Sequence, residues 1–228
     1  MSLPQVFPSP GRRLAIIIVA MLGTVMQVLD TTIANVALPH MQSTLGATQD
    51  QINWVLTSYI VATAVVVPAT GFLDQRLGRR SLFAIAIAGF TVSSMLCGLA
   101  WSLPIMIVAR IMQGLFGAVI APMAQAIMYD SNPPEERTRA MTIWSMGVMV
   151  APVLGPVVGG YLTDTFNWRW VFFINVPIGI FCDHRRMVFA AFNQSPATGV
   201  RRLWLRAHRD VALRAATDAR SGQRAGLV

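Results

Sequence analysis

The chain has 228 residues, of which 54% are hydrophobic and only 12% are charged, and its mean hydropathy is +0.55. This composition predicts an integral membrane protein and argues against a soluble globular domain. The net charge of +8 does not indicate a nucleic-acid-binding protein. Residues 183–228 carry nine Arg and three acids, whereas residues 1–182, with nine Arg and seven acids, are close to neutral.

Cysteine and histidine are too few and too scattered for a metal centre or a disulfide framework. The sequence contains two Cys and three His, without CxxC spacing. It also lacks a recognisable nucleophile–base pair or phosphate-binding loop. We therefore expect neither an enzyme nor a bound cofactor or metal.

The apolar stretches predict an all-α membrane protein. An α-helix needs about 20 apolar residues to cross roughly 30 Å of hydrocarbon. Five stretches meet this requirement: 14–37, 52–73, 82–101, 104–130 and 140–162. A sixth begins near Val171. Because the links between them are short, neighbouring helices should be antiparallel and form a bundle.

Arginine residues mark one side of this bundle. The arginines of the N-terminus and of alternate links fall on the same side: Arg12, Arg13, Arg76, Arg79, Arg80, Arg137 and Arg139. The opposite links carry only Arg169. The positive-inside rule assigns the arginine-rich side to the cytoplasm. We expect a multi-pass protein of the inner (plasma) membrane with residues 1–13 in the cytoplasm.

Two charged residues lie within predicted spans, Asp30 in the first and Arg110 in the fourth. Each costs about 2.5–3.5 kcal/mol at mid-membrane, so such residues usually mark function or a charged partner. At about 1.5 Å per residue, both lie about 10 Å below the outer ends of their helices. We hypothesise that they face a shared water-filled cavity where a proton or cation competes for the carboxylate. Alternatively, the two side chains never meet, and each reaches the interface or another helix.

Further polar residues share these helix faces. Gln27 and Thr31 lie on the same face of the first span as Asp30, so that face should line the cavity. Gln113 follows Arg110 by one helical turn and either extends the polar stripe or makes an ordinary interhelical hydrogen bond.

The fifth span carries a stripe of small residues. Four of them recur every fourth position: Gly147, Ala151, Gly155 and Gly159. Such a stripe lets a neighbouring helix backbone approach closely. Pro152 and Pro156 are expected to bend the helix, and Gly160 follows the stripe.

These motifs resemble those of the Major Facilitator Superfamily, and in particular its EmrB/QacA-type fourteen-helix drug:proton antiporters. The similar segments are LDTTIANVALP at 29–39, the R-x-x-Q-G-x-x-G pattern from Arg110, the Gly155-Pro156 antiporter motif and NWRWVFFINVPIG at 167–179. The resemblance implies the N-terminal six-helix bundle of that fold. It also implies proton-coupled export of hydrophobic or cationic small molecules through the bilayer, with Asp30 as the proton or cation site and Arg110 as its electrostatic partner. A periplasmic adaptor protein or a complementary transporter half are the implied protein partners.

The link between the second and third spans resembles the cytoplasmic loop motif of the superfamily, G-x-L-a-D-r-x-G-r-r. The matching or neighbouring positions are Gly71, Asp74, Arg76, Gly78, Arg79 and Arg80. The acid of the motif should stand at position 75, which is Gln75, while Asp74 occupies the position of a small residue. The loop is therefore expected either to keep a charge network that latches two halves together or to serve topology alone.

The pattern breaks after the sixth apolar stretch. Val171 to Cys182 is about 18 Å long at helical rise, too short to cross the membrane. We predict a bundle at 14–182 with an incomplete sixth helix, followed by an Arg-rich tail at 183–228 that is foreign to the family, as a frameshift or truncation would produce. The alternative to an exporter fragment is a non-transporting remnant that only packs in the membrane or pairs with another transporter chain. Nutrient uptake is disfavoured by the antiporter stripe.

Overall fold

The computed structural model describes residues 9–183, and every regular element in that range is helical. The predicted tail at 183–228 and the first eight residues of the N-terminus lie essentially outside this range. The α-helices in chain order are α1 (Pro10–Leu45), α2 (Gln49–Ile52), α3 (Trp54–Val66), α4 (Thr70–Leu77), α5 (Arg79–Leu99), α6 (Leu103–Ser131), α7 (Pro134–Thr165), α8 (Trp170–Phe173) and α9 (Asn175–Asp183).

Five helical segments are long and apolar enough to cross a membrane, as the sequence predicts. They are Arg13–Leu45, Gln49–Leu77, Arg79–Leu99, Leu103–Ser131 and Pro134–Thr165. The second contains a 3-10 turn at Val67–Ala69, where Pro68 cannot donate a backbone hydrogen bond. A shorter apolar segment, Trp170–Cys182, forms the described part of the sixth helix.

The first helix is longer than the sequence predicts. The expected end of the first span at residue 37 is wrong, because α1 continues through Pro39 to Leu45. Pro39 is exposed, so water can satisfy the carbonyl that loses its partner there. The helix instead ends at Gly46, whose φ of +62° is readily adopted only by glycine.

The helix after the fourth span also begins earlier than the sequence predicts. The apolar stretch places its start at position 140, but α7 begins at Pro134. Proline is favoured in the first helical turn, and Glu135 and Glu136 there interact favourably with the helix dipole. A polar sequence outside the apolar stretch is therefore helical as well.

The buried side chains form two apolar clusters with a polar layer between them. One cluster, toward the arginine-rich end, includes Met26 and Phe90. The other, toward the opposite end, includes Ile33 and Met106. Asp30 lies between Met26 and Ile33 along α1. The helices thus bring polar groups together at one depth, with apolar packing on both sides.

Arg169 holds the α7–α8 link against the end of α5. Its Nη1 atom donates hydrogen bonds to the carbonyl oxygens of Gly98 at 2.8 Å and Ala100 at 2.6 Å. Its guanidinium also stacks on the ring of Trp168, with 4.5 Å from Cζ to the centroid. The last carbonyls of a helix lack intrahelical donors and carry partial negative charge. Arg169 is therefore the cationic cap of α5.

Replacing Arg169 with Gln should destabilise the bundle. Charge-assisted hydrogen bonds contribute about 1.5–3 kcal/mol when buried, and the partly buried position of Arg169 lowers the expected loss to about 1–2 kcal/mol. Denaturant unfolding in detergent micelles, followed by tryptophan fluorescence, measures it. Arg139→Gln, at an exposed arginine, is the matched control. Equal effects of the two substitutions would contradict the cap.

Candidate functional site

The centre of the polar layer is the carboxylate of Asp30, which accepts three hydrogen bonds. Arg110 Nη1 donates to Oδ2 at 2.6 Å, while Gln113 Nε2 and Asn175 Nδ2 donate to Oδ1 at 2.8 and 2.7 Å. All four side chains are 0% exposed. The donors come from α6 and α9, so the carboxylate of α1 joins three helices.

Arg110 is stabilised by more than its ion pair with Asp30. Its Nε atom donates to the backbone oxygen of Val55 at 3.1 Å, and Nη1 also donates to Gln113 Oε1 at 2.8 Å. Its Cζ atom lies 4.5 Å from the ring centroid of Tyr59 and 5.6 Å from that of Phe172. Carbonyl oxygens and aromatic faces partly offset the cost of removing a guanidinium from water.

The structure corrects the hypothesis of a water-filled cavity at this pair. Asp30 and Arg110 do meet, so the alternative in which they remain apart is wrong. Both are nevertheless fully enclosed. Gln27 and Thr31 are only partly buried, and Thr31 Oγ1 donates to the Val28 carbonyl of its own helix at 2.8 Å. Neither makes a hydrogen bond to Asp30 in the described range. The three polar residues of this helix face therefore do not form one hydrogen-bonded group.

Sequence reasoning missed the contributions of α5 and α9. Asn175 Nδ2 donates to Ser94 Oγ at 2.9 Å as well as to Asp30, and Ser94 Oγ donates to the Phe172 carbonyl at 2.9 Å. Cys97 Sγ lies 3.5 Å from Gln113 Oε1. The available signal for Asn175 was a single amide within an otherwise apolar stretch, which in a membrane needs a partner.

The small-residue stripe of α7 lies against α1. A Cβ atom added at Gly159 would stand 3.1 Å from Ile33 Cγ2 and 3.3 Å from its Cα. Added Cβ atoms at Gly147 and Gly155 would overlap Met21 and Thr32, respectively. The buried Ala151 continues the same face. The close backbone approach predicted from the stripe is therefore present.

The prolines and the last glycine of this motif have other environments. Pro152 and Pro156 are exposed, and α7 continues through both. A Cβ atom at Gly160 would have no atom within 4 Å. Gly160 is therefore not required for helix packing in this conformation.

A salt bridge at one end and a polar side-chain contact at the other join α1 and α7. Arg13 Nη1 lies 2.9 Å from Glu136 Oε2 at the arginine-rich end. His40 Nε2 lies 3.8 Å from Asp164 Oδ1 at the opposite end. Because at least one side chain of each contact is largely exposed, each contact contributes at most about 1 kcal/mol. The helices are held together mainly by the packing between them.

The loop motif forms a charge network despite its displaced acid. Asp74 Oδ2 accepts a hydrogen bond from Arg79 Nε at 2.9 Å, and Arg79 also pairs with Asp130. Gly78 allows the tight α4–α5 connection through its φ of +78°. Asp74 thus participates in the network, which a purely topological arginine-rich turn would not require.

The remaining loop residues have separate positions. Arg76 stacks on the ring of Phe72, with 4.5 Å from Cζ to the centroid. Gly71 is exposed and has open space around it, and Arg80 is partly buried. No group of three or more potential metal-binding side chains occurs between residues 9 and 183.

Five apolar spans around an enclosed ion pair define a multi-pass helical membrane protein. The chain matches the Major Facilitator Superfamily over residues 20–216. It is 43% identical over 183 residues to the probable multidrug resistance protein EmrY of Escherichia coli K12, and the alignment covers 79% of this chain and 36% of that protein. It belongs to the Major Facilitator Superfamily. The match extends past residue 182, and the predicted domain boundary there stays a prediction.

Other relatives agree with this assignment. The chain is 48% identical over 174 residues to the fatty acid resistance protein FarB of Neisseria gonorrhoeae, and 44% identical over 174 residues to the multidrug export protein EmrB of Escherichia coli K12. Each alignment covers 76% of this chain and 34% of the relative. The chain thus spans about a third of the length of these curated relatives.

Solved structures support the fold. An inward-open structure of the Escherichia coli xylose transporter XylE aligns with a TM-score of 0.70 and 16% identity, covering 81% of this chain and 49% of that chain. At this identity the likeness concerns the fold alone.

The buried pair should show strong energetic coupling. Arg110→Met should destabilise the bundle by about 3–5 kcal/mol, because it leaves the Asp30 carboxylate buried without its cation. Adding Asp30→Asn should recover much of that loss, since the charge is then removed. A double-mutant cycle of unfolding free energies in detergent measures the coupling. Additive single effects would contradict a direct pair.

Two adjacent glycines test the α1–α7 contact. Gly159→Val should destabilise the bundle by about 1–3 kcal/mol, because the added atoms meet the backbone of Ile33. Gly160→Val changes the neighbouring residue in the same way but meets open space, so its effect should be small. Thermal unfolding of both variants in the same detergent provides the comparison. A larger loss at Gly160 would contradict the close contact between α1 and α7.

Proposed function

We propose that this chain provides the proton-coupled helical bundle of a membrane exporter for hydrophobic or cationic small molecules. The enclosed Asp30 carboxylate with Arg110 at 2.6 Å is the observation that carries the proposal. An ionisable group within a membrane bundle is costly and usually belongs to an ion or proton pathway. The multidrug names of its relatives supply the substrate class.

Proton exchange at Asp30 would change the forces that hold three helices together. The ionised carboxylate accepts charge-assisted hydrogen bonds from Arg110, Gln113 and Asn175. A proton on Asp30 neutralises the charge and converts one carboxylate oxygen into a donor. The attraction between α1 and the donors on α6 and α9 then weakens. This gives the proton a differential interaction with two arrangements of the helices, which coupling requires.

Alternating access needs a second bundle that moves against the first around a central site. The outer face of α7 is apolar and exposed, with Met149, Val153 and Val157 each about 70% exposed. We propose that a complementary transporter half covers this face. We further propose an inner-membrane location with the arginine-rich end in the cytoplasm, based on arginine placement. A periplasmic adaptor remains an expectation from the family resemblance.

Drug-dependent proton flux tests this function directly. With a second copy of the chain acting as the complementary half, vesicles containing the 228-residue chain should release protons when a hydrophobic cationic dye is supplied, and Asp30→Asn, in protein shown to be folded, should abolish that release. Fluorescence of an entrapped pH indicator measures the flux. Asp50→Asn, at an exposed acid on α2, should keep the wild-type rate.

Two results would overturn the proposal. Equal flux in wild-type and Asp30→Asn vesicles would remove Asp30 from the proton pathway. No flux in any vesicle, with the chain shown to be folded in the membrane, would support a bundle that does not transport by itself.

A further inference from the structure

The side-chain amide of Asn175, the first residue of α9, contacts both Asp30 of α1 and Ser94 of α5. Its Nδ2 atom donates to Asp30 Oδ1 at 2.7 Å and to Ser94 Oγ at 2.9 Å. Its Oδ1 atom is buried and has no hydrogen-bond partner within the described residues. A buried carbonyl oxygen without a partner costs free energy, so its retention suggests a second arrangement of the amide.

The other two donors to Asp30 are not able to accept a hydrogen bond from its protonated form. Arg110 has only donor groups. The oxygen of Gln113 already accepts from Arg110 Nη1 at 2.8 Å and lies 3.5 Å from Cys97 Sγ. Turning the Gln113 amide would direct an NH₂ group at the guanidinium, which is also a donor. Of the three partners, Asn175 is therefore the one that can exchange donor for acceptor.

We propose that Asn175 is a positioning residue whose side-chain amide changes its orientation when Asp30 is protonated. With Asp30 ionised, the Asn175 NH₂ group holds the carboxylate. With Asp30 protonated, the amide turns so that Oδ1 accepts the hydrogen bond of the carboxylic acid. The inference rests on the proposed role of Asp30 as the proton site, and it adds the residue through which that proton acts on α9.

The turned amide would also change the contact with Ser94. In the observed arrangement the Ser94 hydroxyl accepts from Asn175 and donates to the Phe172 carbonyl at 2.9 Å. After the turn, Asn175 Oδ1 faces Ser94, and the hydroxyl donates to it instead. The Phe172 carbonyl then loses its donor. Protonation of Asp30 would thus loosen the contact of α8 with α5, without any covalent change.

Other titratable groups around Asp30 are few in the described range. Arg110 approaches from α6, Tyr59 from α3 with its ring 4.5 Å from the guanidinium carbon, and Cys97 from α5 through Gln113. None of these three residues lies on α9. The contact from α9 to Asp30 is made by the uncharged amide of Asn175, which can present either its NH₂ group or its oxygen.

Infrared difference spectroscopy of the chain in lipid nanodiscs can follow protonation of Asp30, with Asp30→Asn identifying its carboxylic acid band. Asn175→Leu keeps a similar volume but removes both polar groups. A hydrogen bond to the ionised carboxylate is stronger than one to the neutral carboxylic acid. Loss of the Asn175 amide therefore destabilises ionised Asp30 more than protonated Asp30, and the variant should bind the proton about tenfold more tightly. The midpoint of the Asp30 band then moves up by about one pH unit.

Asn132→Leu is the matched control. Asn132 is also a buried asparagine, and its Nδ2 donates to the Met128 carbonyl at 2.8 Å, far along α6 from Arg110. In Asn132→Leu, the pH midpoint of the Asp30 band should equal that of the wild type. An unchanged midpoint in Asn175→Leu, or an equal shift in both variants, would overturn the positioning role while leaving Asp30 as the proton site.

Wild-type protein supplies a second readout that does not depend on folding of a variant. The nitrogen NMR signal of the Asn175 side-chain amide, in selectively labelled chain, should change with the same pH midpoint as the Asp30 band. A signal that stays constant through that transition would overturn the inference. Absence of any Asp30-dependent band would instead overturn the proton-site proposal, and the inference with it.

Discussion

The buried ion pair between Asp30 and Arg110 is the constraint on which the rest of the bundle depends. Two charges without water are stable only when good geometry and additional hydrogen bonds offset their desolvation. Here those bonds come from the Val55 carbonyl, Gln113 and Asn175. Because these groups stand on several helical segments, a bundle that satisfies the pair must also fix the relative depth of α1, α3, α6 and α9.

Helix α1 combines two different kinds of contact. Toward α6 and α9 it offers a carboxylate with directional hydrogen bonds, and toward α7 it offers Met21, Thr32 and Ile33 to a stripe of small residues. Thr32 Oγ1 is satisfied by the carbonyls of Val28 and Leu29 within α1. Its contact with Gly155 is therefore one of shape, without a hydrogen bond across the interface. The two faces respond differently to charge.

Hydropathy and depth predicted much of this arrangement, since span length and the cost of a buried charge are local properties. The five spans and the meeting of Asp30 with Arg110 followed from them. The roles of Asn175 and Ser94 did not, because only tertiary packing decides which polar residue in an apolar run meets another. The end of the first helix was predicted wrongly at Pro39 for a similar reason. The effect of a proline on a helix depends on whether water reaches the carbonyl that loses its hydrogen bond. Asp74 shows that a displaced acid can still pair, since side-chain reach allows a shift of one position.

If Asp30 is the proton site, as proposed, the two faces of α1 would respond differently to the proton. Removing the negative charge of Asp30 weakens the directional contacts to α6 and α9, but it changes nothing in the fit of Ile33 against Gly159. Helices α1 and α7, which side-chain contacts join at both ends, would then move together. A smooth stripe of small residues is suited to that task, because its stability comes from close packing and is independent of the charge that changes.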